Sequence, residues 1–233
     1  MVNKPHEAKP PERTPPMHED TAKPARRKRL DPERREQEIV EGAVRYFSEV
    51  GFDGGMRDLA ARLGISHALL FRYFPTKEAL VDRVYDRIYL SRWDPEWDRL
   101  LADRSLDLRE RLVRFYGAYL AAIDRPEWVR AFVFGGLAGV NINRRYLSLI
   151  RRKVITPVAL ELRARAGGAS DAAAPLSDAE LELSWGLHGE IFYRAIRRWV
   201  YGLKVTPDRE RFVALTVAKF LDGAPAALRE AGT

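Results

Sequence analysis

The sequence predicts an all-α protein, and three observations carry that reading. Apolar residues recur at helical spacing along the chain, period-two alternation with β-branched enrichment is absent, and helix-capping signals punctuate the pattern. The 233 residues suffice for one helical body with a small appended module, and a hydrophobic share of 46% supports a real core. Formal charge is +7, which favours a polyanionic partner over an acidic or neutral one. Without cysteine there is neither a disulfide framework nor a thiolate metal site. The first thirty residues contain no apolar signal-peptide core, and the longest uncharged run, Ala131–Asn143, falls short of the roughly 20 apolar residues of a membrane helix. A cytoplasmic protein with no membrane partner is expected.

Residues 1–30 read as a disordered basic tail. Six of the fourteen prolines lie there, with almost no large apolar side chain to offset the entropy of ordering. The tail ends in Arg26-Arg27-Lys28-Arg29, which is either a solvated charge run or an arm for phosphates. Asp31-Pro32 supplies an N-cap and a first-turn proline. Ile39, Ala43, Phe47 and Val50, flanked by Val40 and Val44, then form one stripe that Gly51 closes. Further helices are expected at 56–63, 67–73, 76–92, 107–123, 126–140, 143–166, 178–201 and 207–221. Ser66, Thr76 and Thr206-Pro207 are N-cap signals, and Ser177-x-x-Glu180 has capping-box spacing. Gly167 through Pro175 reads as a loop, and Pro157 should kink or split its helix.

The segment Met56–Lys77 carries the functional signal. Leu59 and Leu63 face a core from one short helix, and Leu70 and Phe74 from the next. Ala60 is small where two steeply crossed helices would touch, Gly64 tolerates the positive φ of a tight turn, Ile65 plugs that turn, and Ser66 caps the second helix. These are the steric requirements of a helix-turn-helix, although an ordinary αα-hairpin shares several of them.

The surrounding residues resemble the tetracycline-repressor (TetR) family of regulators. The run comprises Tyr46-Phe47-x-x-x-Gly51-Phe52, Arg57-Asp58-Leu59-Ala60, Leu63-Gly64-Ile65-Ser66 and Arg72-Tyr73-Phe74-Pro75-Thr76-Lys77-Glu78-Ala79-Leu80, about a fifth of the chain. The resemblance implies a three-helix DNA-binding domain over 31–78 and a helical ligand-binding and dimerisation domain over 79–225. It implies a homodimeric repressor, without cofactor, that leaves a palindromic double-stranded operator when a small-molecule effector binds. Recognition helices would enter major grooves about 34 Å apart. Family contact positions map onto Arg57, Ser66, His67, Ala68, Leu69, Phe71, Arg72, Tyr73 and Lys77, with the arm at Arg26, Arg27, Lys28 and Arg29 beside them. Lys77 is the expected phosphate ligand at a helix N-terminus, and Arg72 suits either a phosphate or a guanine edge.

The chain departs from the family pattern in three places. Gly54-Gly55 stands where a Thr/Ser pair is usual, Leu69 where Thr is usual, and Phe71 where Tyr is usual. Leu69 and Phe71 therefore either meet thymine methyls or turn inward and pack.

Downstream, Trp93, Trp97, Phe115, Tyr119, Phe134, Asn141 and Tyr146 are the effector-pocket candidates, with Asn143 a further polar group. Plain core packing explains most of these aromatics equally well. Gly135-Gly136 and Gly139 leave room for a ligand or permit close helix contact. Leu187, His188, Ile191, Phe192, Ala195 and Trp199, with Phe212, are the candidate dimer face. An enzyme is not expected. Two of the four histidines lie in the tail, neither His-x-x-x-His nor Glu-x-x-His occurs, and no phosphate-binding glycine loop is present. A rival reading keeps the fold but makes the protein an architectural DNA binder without an inducer.

Overall fold

The computed structural model describes residues 31–167 and 174–231, and every regular element among them is helical. In chain order these are α1 (Pro32–Val50), α2 (Met56–Arg62), α3 (His67–Tyr73), α4 (Lys77–Ile88), α5 (Pro95–Ala102), α6 (Leu108–Ile123), α7 (Pro126–Leu137), α8 (Ile142–Ile150), α9 (Thr156–Arg165), α10 (Asp178–Trp199) and α11 (Arg209–Glu230). The expected tail and most of the 167–175 loop lie outside the described residues. None of the described helices is long and apolar enough to cross a membrane.

Helix α1 buries Ile39, Val40, Ala43, Tyr46 and Phe47 and packs against both α4 and α7. Val50, expected on that stripe, instead stands exposed in the last turn, where Gly51 at φ +87° turns the chain away. Helices α6, α9, α10 and α11 enclose the rest of the core, with α11 against α6 and α9 and α10 against α6, α7, α9 and α11.

Three elements differ from the sequence expectation, and a fourth is divided as expected. Helix α5 lies in a stretch read as loop. It opens with Asp94-Pro95, the same signature as Asp31-Pro32, with the Asp94 carboxylate accepting from the Glu96 N–H at 2.9 Å, and it buries Trp97 and Leu101. The helix expected through residue 92 ends at Ile88, and a 3₁₀ turn, Leu90–Arg92, follows it. The 143–166 helix is divided as Pro157 demands. A π turn, Arg151–Ile155, precedes α9, and its wider ring accommodates a proline that has no N–H for the i−4 carbonyl. Helix α11 is capped by Asp208, not Thr206, with its carboxylate accepting from the Arg211 N–H at 2.8 Å. It also runs through Gly223 and Pro225, because Ala224, Pro225 and Leu228 are buried and tertiary packing outweighs the local helix-breaking signals.

The capping box at the start of α10 is formed as expected, and Glu180 does more than cap. Its carboxylate receives two hydrogen bonds from the Arg163 guanidinium, at 2.5 and 2.8 Å, and one from the Ser177 N–H at 2.6 Å. Arg163 also donates to the carbonyls of Ala174 and Pro175, anchoring the end of the loop. The bonds from Arg163, with those from Ser177, hold the Glu180 carboxyl down at about 2. A depressed carboxylate contributes stability that is complete above its unfolded value near 4.5 and is lost as pH falls through about 2. Glu180→Gln should therefore cost on the order of 3 kcal/mol in urea unfolding at pH 7. The gap to wild type should narrow steadily below pH 4.5; a pH-independent gap would contradict the assignment.

Candidate nucleic-acid interface

The α2–α3 turn is built as its residues require. Gly64 adopts φ +63°, and the Ile65 N–H reaches back to the Ala60 carbonyl while the Gly64 N–H reaches Ala61, both at 3.1 Å. This pattern closes α2 in a left-handed C-cap that a side chain at Gly64 would strain. The Ser66 hydroxyl accepts from the Leu69 N–H, and the Thr76 hydroxyl from the Ala79 N–H, each at 3.1 Å. Leu59, Ala60, Leu70 and Phe74 are buried, and Ile65 packs against the same core. Leu63 presses on Gly42 of α1 so closely that a Cβ there would meet its Cδ2 at 2.1 Å.

With Leu70 and Phe74 inward, the other side of α3 faces out. Ser66, His67, Ala68, Phe71 and Arg72 are exposed, while Leu69 and Tyr73 are half-buried at its flanks. Phe71 thus stays at the surface, its ring 4.4 Å from that of His67. The Arg72 guanidinium lies 5.5 Å over the Tyr73 ring. Arg57 is exposed in the first turn of α2, and Lys77 begins α4. None of Arg57, Arg72 and Lys77 has an ion-pair partner among the described residues. By contrast, Arg62 pairs with Glu49 at 3.1 Å, Arg83 with Glu36 at 3.0 Å and Arg87 with Glu41 at 3.1 Å. Arg57, Arg72 and Lys77 are thus free of carboxylates, as the exposed Arg45 of α1 also is. Arg26, Arg27, Lys28 and Arg29 lie outside the described residues.

The glycine pair before α2 has a cause that sequence reading missed. Tyr46 of α1 lies so close to Gly54 that a Cβ there would sit 2.4 Å from its hydroxyl oxygen, and that hydroxyl donates to the Gly55 carbonyl at 3.4 Å. Burial, reinforced by the Asp58 carboxylate, raises the Tyr46 pKa, so the phenol keeps its proton. Gly55 differs: it caps α2 at φ −82° and ψ 148°, with open space where a Cβ would go.

The effector candidates do not form one group. Trp93, Trp97, Phe115, Tyr119 and Tyr146 do come together, in a packed aromatic column. Trp97 lies 5.8 Å from Phe115, and Phe115 lies 5.7 Å from Tyr119. The Tyr146 hydroxyl donates to that of Tyr119 at 3.3 Å, and Tyr119 meets His188 Nε2 at the same distance. Burial lowers His188 to about 4, so the imidazole is neutral. The hydroxyls of Tyr89 and Tyr116 and His188 Nδ1 are buried without a partner. Phe134 lies elsewhere, its ring 3.4 Å from where a Cβ on Gly51 would be. Asn141 is exposed at the mouth of a separate cleft. Gly135 and Gly136 serve close helix contact. Asn143 donates to the Phe132 carbonyl at 2.7 Å, and a Cβ on Gly135 would meet its Oδ1 at 2.8 Å.

The dimer candidates of α10 lie on its inward side, and Phe212 belongs to α11. Leu187, His188, Ile191 and Ala195 are buried within the protomer. Phe192 packs on Trp128 and Phe132, Trp199 donates to Asp124 at 2.6 Å, and Phe212 lies under the Arg194 guanidinium. The outward side carries Gly186, Gly189, Tyr193 and Val200, and the adjoining α11 exposes Ala214 and Leu215.

Comparison with known proteins agrees with the module's geometry. Residues 39–84 match the family model for bacterial regulatory proteins of the tetR family. The HTH-type transcriptional regulator LuxR of Vibrio harveyi is 31% identical over 111 residues, which cover 46% of this chain and 52% of that protein. An HTH-type transcriptional repressor of Mycobacterium tuberculosis is 35% identical over 106 residues, covering 43% and 54% respectively. The chain thus spans about half the length of the curated relatives it matches. Among solved structures, a TetR-like transcriptional regulator from Rhodococcus superposes with a TM-score of 0.62 at 22% identity, over 84% of this chain and 100% of that one. A tetR-family regulator from Streptomyces coelicolor gives 0.57 at 19% identity, over 85% of each chain. At these identities the superpositions establish the fold.

If Tyr46 dictates the glycine at position 54, adjacent substitutions should behave oppositely. Gly54→Ser should lower stability by about 1–3 kcal/mol through overpacking. Gly55→Ser should be neutral or stabilising by about a few tenths of a kcal/mol, because serine suits the N-cap backbone already present. Thermal melts of the two variants decide it; equal losses would contradict this account.

Proposed function

From a chain whose N-terminal helices are those of the tetR family of bacterial regulatory proteins, we propose a sequence-specific transcriptional regulator that binds a palindromic operator as a homodimer and leaves it when a small molecule binds. The observation that carries the proposal is the outer face of α3. A left-handed turn at Gly64 fixes it, the protein core leaves it uncovered, and Arg57, Arg72 and Lys77 surround it without carboxylate partners. Free cations around an exposed recognition helix are the electrostatic footprint of a phosphate backbone. In this reading Ser66, His67, Ala68 and Arg72 face base edges or phosphates. The outward Phe71, and Leu69 at the flank, offer apolar contact to thymine methyls, while Tyr73 supports Arg72. Lys77 holds a phosphate at the start of α4. The basic arm, Arg26–Arg29, adds counterion release.

For the dimer, the outward sides of α10 and α11 are the better candidate than the inward residues, whose surface is already covered inside the protomer. Gly186 and Gly189 permit close approach of a partner helix, and Tyr193 and Leu215 offer apolar area at 49% and 61% exposure. The aromatic column, with its three unpartnered polar atoms, supports an interior effector site.

Duplexes selected from a random pool test the regulator reading. An inverted repeat with half-site centres about 34 Å apart is the expected product. Lys77→Ala should weaken binding to all duplexes alike and flatten the salt slope by about 1, whereas Phe71→Ala should change base preference. Deleting residues 1–29 should flatten the slope further. Affinity that is equal for every duplex would overturn the reading. Leu215→Glu with Tyr193→Asp should convert a dimer to monomers in analytical ultracentrifugation while leaving the helical signal intact. A dimer that survives both charges must use another face.

A further inference from the structure

A cleft of about 370 Å³ lies where the helix-turn-helix meets the helical body, and its lining includes Lys77 but no residue of α3 or of the aromatic column. Its apolar lining comes from Phe52, Val81, Ala138, Val140 and Ile142, joining the α1–α2 loop and α4 to the α7–α8 turn. That volume suits a small ligand with an apolar body.

The charges around it are unequal in their commitments. Asp82 of α4 is bonded to Arg145 of α8 at 2.5 Å, and the same guanidinium stacks 4.0 Å over the Tyr85 ring, so this pair is internally neutral. Asp53 and Glu78 also line the cleft, and neither has a cationic partner among the described residues. Lys77 is the one remaining free cation of the lining, so two unpaired carboxylates stand against a single lysine and the lining keeps a net negative charge. An anionic guest would meet that net negative lining, and a neutral one would leave Asp53 and Glu78 partly desolvated without compensation. A cation with an apolar body satisfies both the lining and its charge.

We propose that this cleft is a binding site for a small apolar cation, an amine or quaternary ammonium, seated on Val81, Val140 and Ile142 with its charge toward Asp53 and Glu78. The guest lies against α4, which begins with Lys77, and against α8, which the Asp82–Arg145 bond ties to it. Occupancy therefore alters how α4 is held and shifts operator affinity. That second half rests on the regulator reading above, whereas binding itself does not.

Three probes sharing one apolar body separate the possibilities: 4-tert-butylbenzylamine, 4-tert-butylbenzyl alcohol and 4-tert-butylbenzoate, titrated calorimetrically into the full-length protein without DNA. The amine should bind at least tenfold tighter than the other two. The double variant Asp53→Asn/Glu78→Gln, both positions exposed, should erase that preference without weakening the alcohol's binding. Val140→Trp should abolish binding of all three, with its melting curve confirming the fold. Benzoate binding as tightly as the amine, no binding by the amine, or a preference that survives the double variant would overturn the site. With an operator in hand, saturating amine should move its Kd at least fivefold. An unmoved Kd overturns the regulatory half, and a protein that binds the amine but no specific duplex overturns the regulator reading alone.

Discussion

The structure depends on the burial of α1. Its Ile39, Ala43 and Phe47 are inaccessible to solvent, Phe47 stacks on Phe52 at 4.7 Å, and the helix packs against α4 and α7. One helix therefore serves two assemblies, the helix-turn-helix on one side and the body on the other. Leu63 reaches it through the contact that Gly42 permits, and Tyr46 sets where α2 begins. Each fully buried side chain of this kind contributes roughly 1.5–3 kcal/mol. The orientation of α3 is consequently a property of the whole core and not of seven residues, too few to hold a helix in water.

Charge is partitioned along the same lines. Where arginines join helices they are matched, as Arg62, Arg83 and Arg87 are on carboxylates of α1. In the body, the Asp124 carboxylate has no exposed surface. It receives Arg194 and Arg198, each at 3.0 Å, and the Trp199 indole, while Arg194 also holds the Thr206 carbonyl at 2.7 Å. Such a buried charge is tolerable because every neighbour donates to it. It fastens the end of α6 to the end of α10 and to the chain leading into α11. Arg57, Arg72 and Lys77 have no such carboxylate among the described residues, which leaves their charges available to a ligand.

Much of the module, and the start of α10, was legible in the sequence because the constraints there are local. A positive φ at Gly64, caps at Ser66 and Thr76 and the capping box at Ser177 each depend on residues within four positions, so residue type and spacing suffice to read them. The body was legible in helix number more than in assignment. Helix α5 went unread although Asp94-Pro95 announces it, since Trp97 and Leu101 offer too short a stripe to show a period. The end of α11 was misplaced because Gly223 and Pro225 are breakers locally, while the packing of Ala224 and Leu228 is not visible from neighbours in sequence.

By itself, then, the sequence determined the helical class, the turn that bends α2 against α3, the caps and the basic character of the chain. Tertiary structure decided which side of each helix is free. That choice left Phe71 outside and put Leu187 and Ile191 inside. It also parted Phe134 and Asn141 from the aromatic column and set Gly54 against Tyr46. Helical periodicity marks an apolar stripe but not its neighbour, and burial depends on which distant helix arrives to cover it.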